Sequence, residues 1–140
     1  MVLRKADGDS KKIASPRLSK SAIKNIHDDR CRYMKSWKAC DEFLSAECRS
    51  ARRVYNFGTS TWSFLLAGYC PEYWELVSCC VIDGGSGEFL GKAVIDVVGL
   101  SLGKGDALVM GVDPQSQHMF ASRFAASPAA LVTWNQIITR

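Results

Sequence analysis

The strongest regularity along the chain is a stripe of apolar residues at helical spacing in "DDRCRYMKSWKACDEFLSAECRSARRVYNFG". Tyr33, Trp37, Cys40, Leu44, Cys48, Ala51 and Tyr55 recur at steps of three and four, which aligns them on one face of an α-helix. Asp28 and Asp29 suit the positive N-terminal end of such a helix, Arg52 and Arg53 its negative C-terminal end, and Gly58 follows as a stop. The pattern predicts one amphipathic helix over residues 30–56, with Trp37 and Leu44 buried. Upstream, residues 1–27 carry Pro16 and scattered Ser and Lys without apolar periodicity, which predicts a flexible basic arm. Downstream the elements shorten. "TWSFLLAGY" is an apolar segment closed by Gly68 and Pro71. "EYWELVSCCVI" fits either a helix with Tyr73, Leu76, Val77 and Cys80 inward or a strand at its end. "KAVIDVVGLSL" and "DALVMGV" have the β-branched content of strands, while "SQHMFASRFAA" and "ALVTWNQIIT" read as helical, with Pro128 between them.

A chain of 140 residues is one domain's worth, and 47% hydrophobic with 23% charged residues is an ordinary globular composition. Charge changes the picture more. Residues 1–53 hold 14 Lys and Arg against 7 Asp and Glu, whereas the remainder is net acidic, 4 against 7. A basic first third on a mildly acidic body suits a polyanion partner, a targeting segment or a solvated tail. The most apolar stretch, residues 62–82, is broken by Pro71, Glu72 and Glu75, so no membrane partner is expected. The N-terminus lacks the apolar core of a secretory signal. Its Lys and Ser are partly like an organellar transit peptide, against which Asp7 and Asp9 count. An intracellular location, with the mitochondrion or chloroplast as the organellar alternatives, is the expectation.

Six cysteines without an export signal do not argue for a disulfide framework. No C-x-x-C or H-x-x-x-H pair supplies two metal ligands from one turn, and His27 and His118 are isolated, so no metal is expected. The loop "DGGSGEFLGKA" suggests a phosphate cradle, but a Walker-type loop fails at both informative positions. Its first glycine falls on Ser86, and Ala93 replaces the hydroxyl that holds magnesium. Gly85, Gly87 and Gly91 are spaced one residue too widely for a dinucleotide fingerprint. No nucleotide cofactor is expected there. No G-x-S-x-G elbow or Cys–His pair is evident either, so no cofactor and no enzyme are predicted.

An internal echo points elsewhere. "SARRVYN...TSTWSFLLAGYC" is matched by "FASRFAASPAALVTWNQIITR", which places Trp62 and Trp134 at a multiple of a helical-hairpin repeat. These phrases, with "LGK" and "GDALV" between them, resemble the plant pentatricopeptide repeat proteins. The resemblance implies an all-α fold, a short irregular array of antiparallel helical hairpins over 28–140, with the glycine loop as an inter-helix turn and Lys92 on a helix. Propensity alone leaves a small α+β domain as the alternative. The resemblance also implies binding of single-stranded RNA, with Ser63 and Asn135 as base contacts. The basic helix face, Lys35, Lys38, Arg49, Arg52 and Arg53, would then hold phosphates. The rival function is a small protein-interaction or structural module, whose four Trp and four Tyr would line a groove for a protein partner.

Overall fold

The computed structural model describes residues 17–137. The arm expected over 1–27 lies outside the described residues as far as residue 16, and its last part, from Lys20, is helical. Helix α1 (Lys20–Cys48) begins behind Ser19, whose hydroxyl accepts from the Ala22 amide and satisfies one orphan donor of the first turn. It buries Trp37, Cys40, Leu44 and Cys48, the stripe that the sequence predicts. The helix stops earlier than residue 56. The Ala51 amide closes a turn on the Cys48 carbonyl, and Arg53–Phe57 is strand β1. Tyr55 satisfies both periods, a helical step from Ala51 and an alternation with Val54 and Asn56. Burial of all four residues 54–57 selects the strand.

The expected array of helical hairpins is overturned, because the chain folds around a six-stranded sheet. After β1 come α2 (Thr61–Tyr69), α3 (Pro71–Leu76), β2 (Val77–Ile82), β3 (Gly87–Phe89), β4 (Lys92–Asp96), β5 (Asp106–Met110), α4 (Gln117–Ser122) and β6 (Ala130–Val132). The reason is in the short runs "VYNF", "VSCCVI", "KAVID" and "DALVM". They are rich in β-branched and aromatic residues, too short for packed helices, and apolar on both sides, as parallel strands covered on both faces must be. Strand β5 is buried at every position. "ALVTWN", read as helical, supplies the short strand β6. The glycine loop joins strands: Leu90 and Gly91, at φ 48° and 77°, form a two-residue hairpin between β3 and β4, and Lys92 opens a strand.

The strand order is β3-β4-β2-β1-β5-β6, and all pairings are parallel except β3 with β4. One face packs Val54, Val77, Cys80, Val94 and Val109 against Trp37, Leu44, Leu66 and Tyr73 of the first three helices. The other packs Tyr55, Phe57, Val81, Leu108 and Met110 against Phe120, Ala121 and Phe124 of α4 and its C-terminal turn. Trp62 and Trp134, the echo in the sequence, meet with ring centroids 5.8 Å apart across one core. They are tertiary neighbours in a sheet protein, and the matched phrases mark no repeat.

Set β3 aside and the parallel strands run β4-β2-β1-β5-β6. The chain leaves β1 towards β2 and leaves β5 towards β6, in opposite directions. This is a doubly wound α/β arrangement, with its topological switch point between β1 and β5.

Candidate functional site

In an open parallel sheet, adjacent crossovers that diverge leave a crevice outside the carboxyl ends of the strands they flank. Here Gly58 follows β1, and Gly111 follows β5. Gly58 sits at φ 112°, and a Cβ on it would stand 2.9 Å from the Gly111 carbonyl oxygen. A Cβ on Gly111 would run into the carboxamide of Asn56. Both positions therefore require glycine, one by backbone conformation and both by space. The strand ends can thus approach each other closely.

A buried polar network holds this geometry. Asn56, on the helix-covered face of β1, donates Nδ2 to the Gly58 carbonyl at 2.8 Å and to Ser63 Oγ at 3.0 Å. Its Oδ1 accepts from the Tyr73 hydroxyl at 2.9 Å. Ser63 Oγ lies 2.9 Å from both the Gly58 and Gly111 carbonyl oxygens, so its single proton ties the β1 turn to the end of β5. The Gly58 amide continues the ladder by donating to the Val81 carbonyl of β2. All three side chains are fully buried, or nearly so, and hydrogen-bonded, which is the condition for burying them at all.

Around this base the sequence "GTSTWS" makes the strand-to-helix turn. Ser60 caps α2, accepting from the Trp62 amide at 3.3 Å, so the helix's positive end opens beside Gly58. Trp62 Nε1 donates to Asp113 Oδ2 at 3.2 Å, and Asp113 Oδ1 accepts from the Gln115 amide at 2.8 Å. Asp83, the first residue past β2, is held by Arg123 through a two-pronged pair at 2.6 and 2.8 Å. The Arg123 guanidinium keeps the Asp83 carboxyl below its ordinary range and lies 5.6 Å from the centre of the Phe57 ring. The crevice is thus bounded by a capped helix start, two glycines and two carboxylates, Asp83 and Asp113.

The residues singled out in the sequence fall elsewhere. Ser63 is fully buried under the β1 turn, where no base can reach it. Asn135 is half-buried; its Nδ2 lies 2.9 Å from His118 Nε2, while its buried Oδ1 has no partner among the described residues. Arg52 is committed to Asp106, with Nε and Nη2 each 3.1 Å from a carboxylate oxygen. Lys38 approaches Glu42 at 3.8 Å. Lys35, Arg49 and Arg53 are exposed. Those cations lie along α1, at its C-terminal end and at the start of β1. What sequence reasoning missed is the strand-end turn. Its signal was "NFGTSTWS" read as Gly58-x-Ser60-x-x-Ser63 behind an apolar run, with Asp83 closing the next one. No protein-family model, no curated protein and no solved structure matches this chain.

Proposed function

We propose that the chain binds a small nucleoside-bearing ligand in the crevice between the ends of β1 and β5. The observation that carries this reading is the facing glycine pair at the switch point, Gly58 and Gly111. In a dinucleotide-binding turn the first glycine makes the tight turn, the second lets the ligand approach backbone, and the third lets helix pack on strand. Gly58 supplies the first role through its positive φ. Ser60 stands at the second and Ser63 at the third, where its hydroxyl fits the close contact by bonding both strand ends. An acid past the second strand is the usual acceptor for ribose hydroxyls, and Asp83 stands there. Arg123 occupies two of the roughly four lone-pair directions of the Asp83 carboxylate, leaving others for a ribose.

Single-stranded RNA is the second reading, supported by the exposed cations Lys35, Arg49 and Arg53. It keeps only its electrostatic half, since the buried Ser63 reads no base. One titration series separates the two. Nucleosides, mono- and dinucleotides and a short RNA are titrated against tryptophan fluorescence, with Trp62 as the reporter beside the crevice. The nucleoside reading expects saturable binding that Asp83→Asn, an exposed change, weakens about tenfold, the scale of one lost charge-assisted hydrogen bond. Gly58→Ala should remove it. Binding only to RNA, with a steep salt dependence and no response to Asp83→Asn, would select the second reading.

A further inference from the structure

The sheet edge that carries the crevice is acidic. Asp83 follows β2, Asp96 ends β4 and Asp113 stands in the turn after β5. The strand ends are level, since Phe57 pairs with Val81 and Met110, and Ile82 with Asp96. Neighbouring strands lie about 4.8 Å apart, which sets the ends of β2 and β5 beside that of β1 and the end of β4 about 10 Å from it. The segments leaving the carboxyl ends of the parallel strands, residues 58–60, 83–86, 97–99, 111–116 and 133–136, contain no Lys or Arg. Arg123, directly after α4, is bonded to Asp83 through both terminal nitrogens. Asp96 and Asp113 are half-buried and form no ion pair among the described residues. The other edge holds the basic residues of the sheet: Arg52 and Arg53 where β1 begins, Lys92 where β4 begins and Lys104 just before β5.

A phosphate at a strand-to-helix turn is held by open amides at the helix start and by the positive end of the helix. This turn offers less of both. The Ser60 hydroxyl itself takes the Trp62 amide, at 3.3 Å. A dinucleotide turn carries glycine at its second position so that pyrophosphate can approach the backbone, and this chain carries Ser60 there. Asp113 stands close by. Its Oδ2 accepts from the indole of Trp62, the second residue of α2, and it lies two residues past Gly111, whose carbonyl oxygen would touch a Cβ on Gly58. A phosphate drawn to the positive end of α2 would also approach this carboxylate.

We propose that the ligand of the crevice is a nucleoside without phosphate, its 5′ substituent neutral or cationic. This rests on the nucleoside reading above, in which Gly58 and Gly111 make the site; the carboxylates set only the charge of what enters it. With the ribose on Asp83, as on the acid of a dinucleotide site, the 5′ carbon is directed along the β1 turn towards α2 and Asp113. Ribose hydroxyls donate to carboxylates and suit such an edge. A 5′-phosphate is repelled there by Asp113 and, farther off, by Asp96, and a 5′ cation gains from the same two charges.

Calorimetric titration of the full chain tests this. The probes are adenosine, guanosine, cytidine and uridine, their 5′-monophosphates and their 5′-amino-5′-deoxy derivatives. For the base that binds, the amino derivative should be tightest and the nucleoside next. The monophosphate should be weaker than the nucleoside by about tenfold or more at low salt, a gap that shrinks as salt rises. Asp96→Asn with Asp113→Asn keeps an oxygen for the Val98 amide and one for the Trp62 indole while removing two charges. It should narrow the gap by about threefold or more. A monophosphate that binds as tightly as its nucleoside, or tighter, overturns the proposal and leaves the nucleoside site standing. A gap that neither salt nor the double variant changes also overturns it, because shape and not charge would then exclude the phosphate. If no probe of any base binds, the nucleoside reading itself fails and the proposal falls with it.

Discussion

Asn56 shows how much one side chain decides. It is polar, fully buried on the central strand, and uses Nδ2 towards Gly58 and Ser63 while Oδ1 receives the Tyr73 hydroxyl. Each of these groups would be costly without the others, because a buried donor or acceptor left alone costs about 1–3 kcal/mol. Tyr73→Phe removes the hydroxyl and leaves Asn56 Oδ1 unanswered in the core. It should lower stability by about 1–3 kcal/mol with little change in the urea m-value, measured by equilibrium unfolding. A cost near zero would mean that water replaces the hydroxyl and that the network is loose. The same residue explains Gly111, since any side chain there would displace the Asn56 carboxamide. The strand-end crevice therefore depends on a polar residue that patterning by hydrophobicity passes over.

At the scale of elements, legibility followed one-sidedness. The stripe of α1 was plain because Trp37, Cys40, Leu44 and Cys48 face the core while Lys38, Glu42 and Arg49 face solvent. Strands β4 and β5 were suggested by their β-branched runs, but nothing local specifies that β5 pairs with β1, 50-odd residues earlier. Parallel pairing is non-local, and an apolar run buried on both faces shows no period by which a strand is told from a buried helix. The repeat resemblance filled that gap with helices and misled for the same reason. The glycine loop drew attention as a phosphate site, while the turn with the better geometry, Gly58 to Ser63, was hidden by the apparent continuation of α1 through Tyr55. The exposed half of α1 gives an element-scale prediction. In hydrogen exchange, amides of residues 23–31, beyond the contact of Tyr33 with Trp37 and Tyr69, should exchange quickly. Those of 40–48, anchored in the core, should be slow throughout. Protection of both halves would show that the exposed half has a further partner.

At the scale of the whole molecule, two sets of buried groups set opposite limits on stability against pH. On the acid side stands Asp106, a buried carboxylate at the start of β5 that accepts from Arg52 and from the Gly103 amide. These hydrogen bonds, that of Arg52 foremost, hold its carboxyl below the ordinary range. A depressed carboxyl favours the folded state above its unfolded pKa of about 3.9, and that contribution drains away as pH falls towards the folded value. On the alkaline side stand Cys48 and Cys80, pushed up from 9.0 to about 11, chiefly by burial. A raised thiol is the opposite case. Its contribution is complete below the unfolded pKa near 9 and is lost as pH climbs to about 11, because the unfolded chain ionises first. Thermal melts across pH should therefore trace a plateau with two shoulders, one below about pH 4 and one above about pH 9. Asp106→Asn should lower the plateau and flatten the acid shoulder while leaving the alkaline one in place. Cys48→Ala with Cys80→Ala should shrink the alkaline shoulder without removing it, because Cys70 is raised as well, by its hydrogen bond with Cys40 and by burial, and the plateau should fall by the loss of two small core side chains. If the alkaline shoulder persists unchanged in that double variant, it belongs to other groups, with Cys70 and then Tyr73, fully buried among these thiols and itself shifted upward, the next to replace.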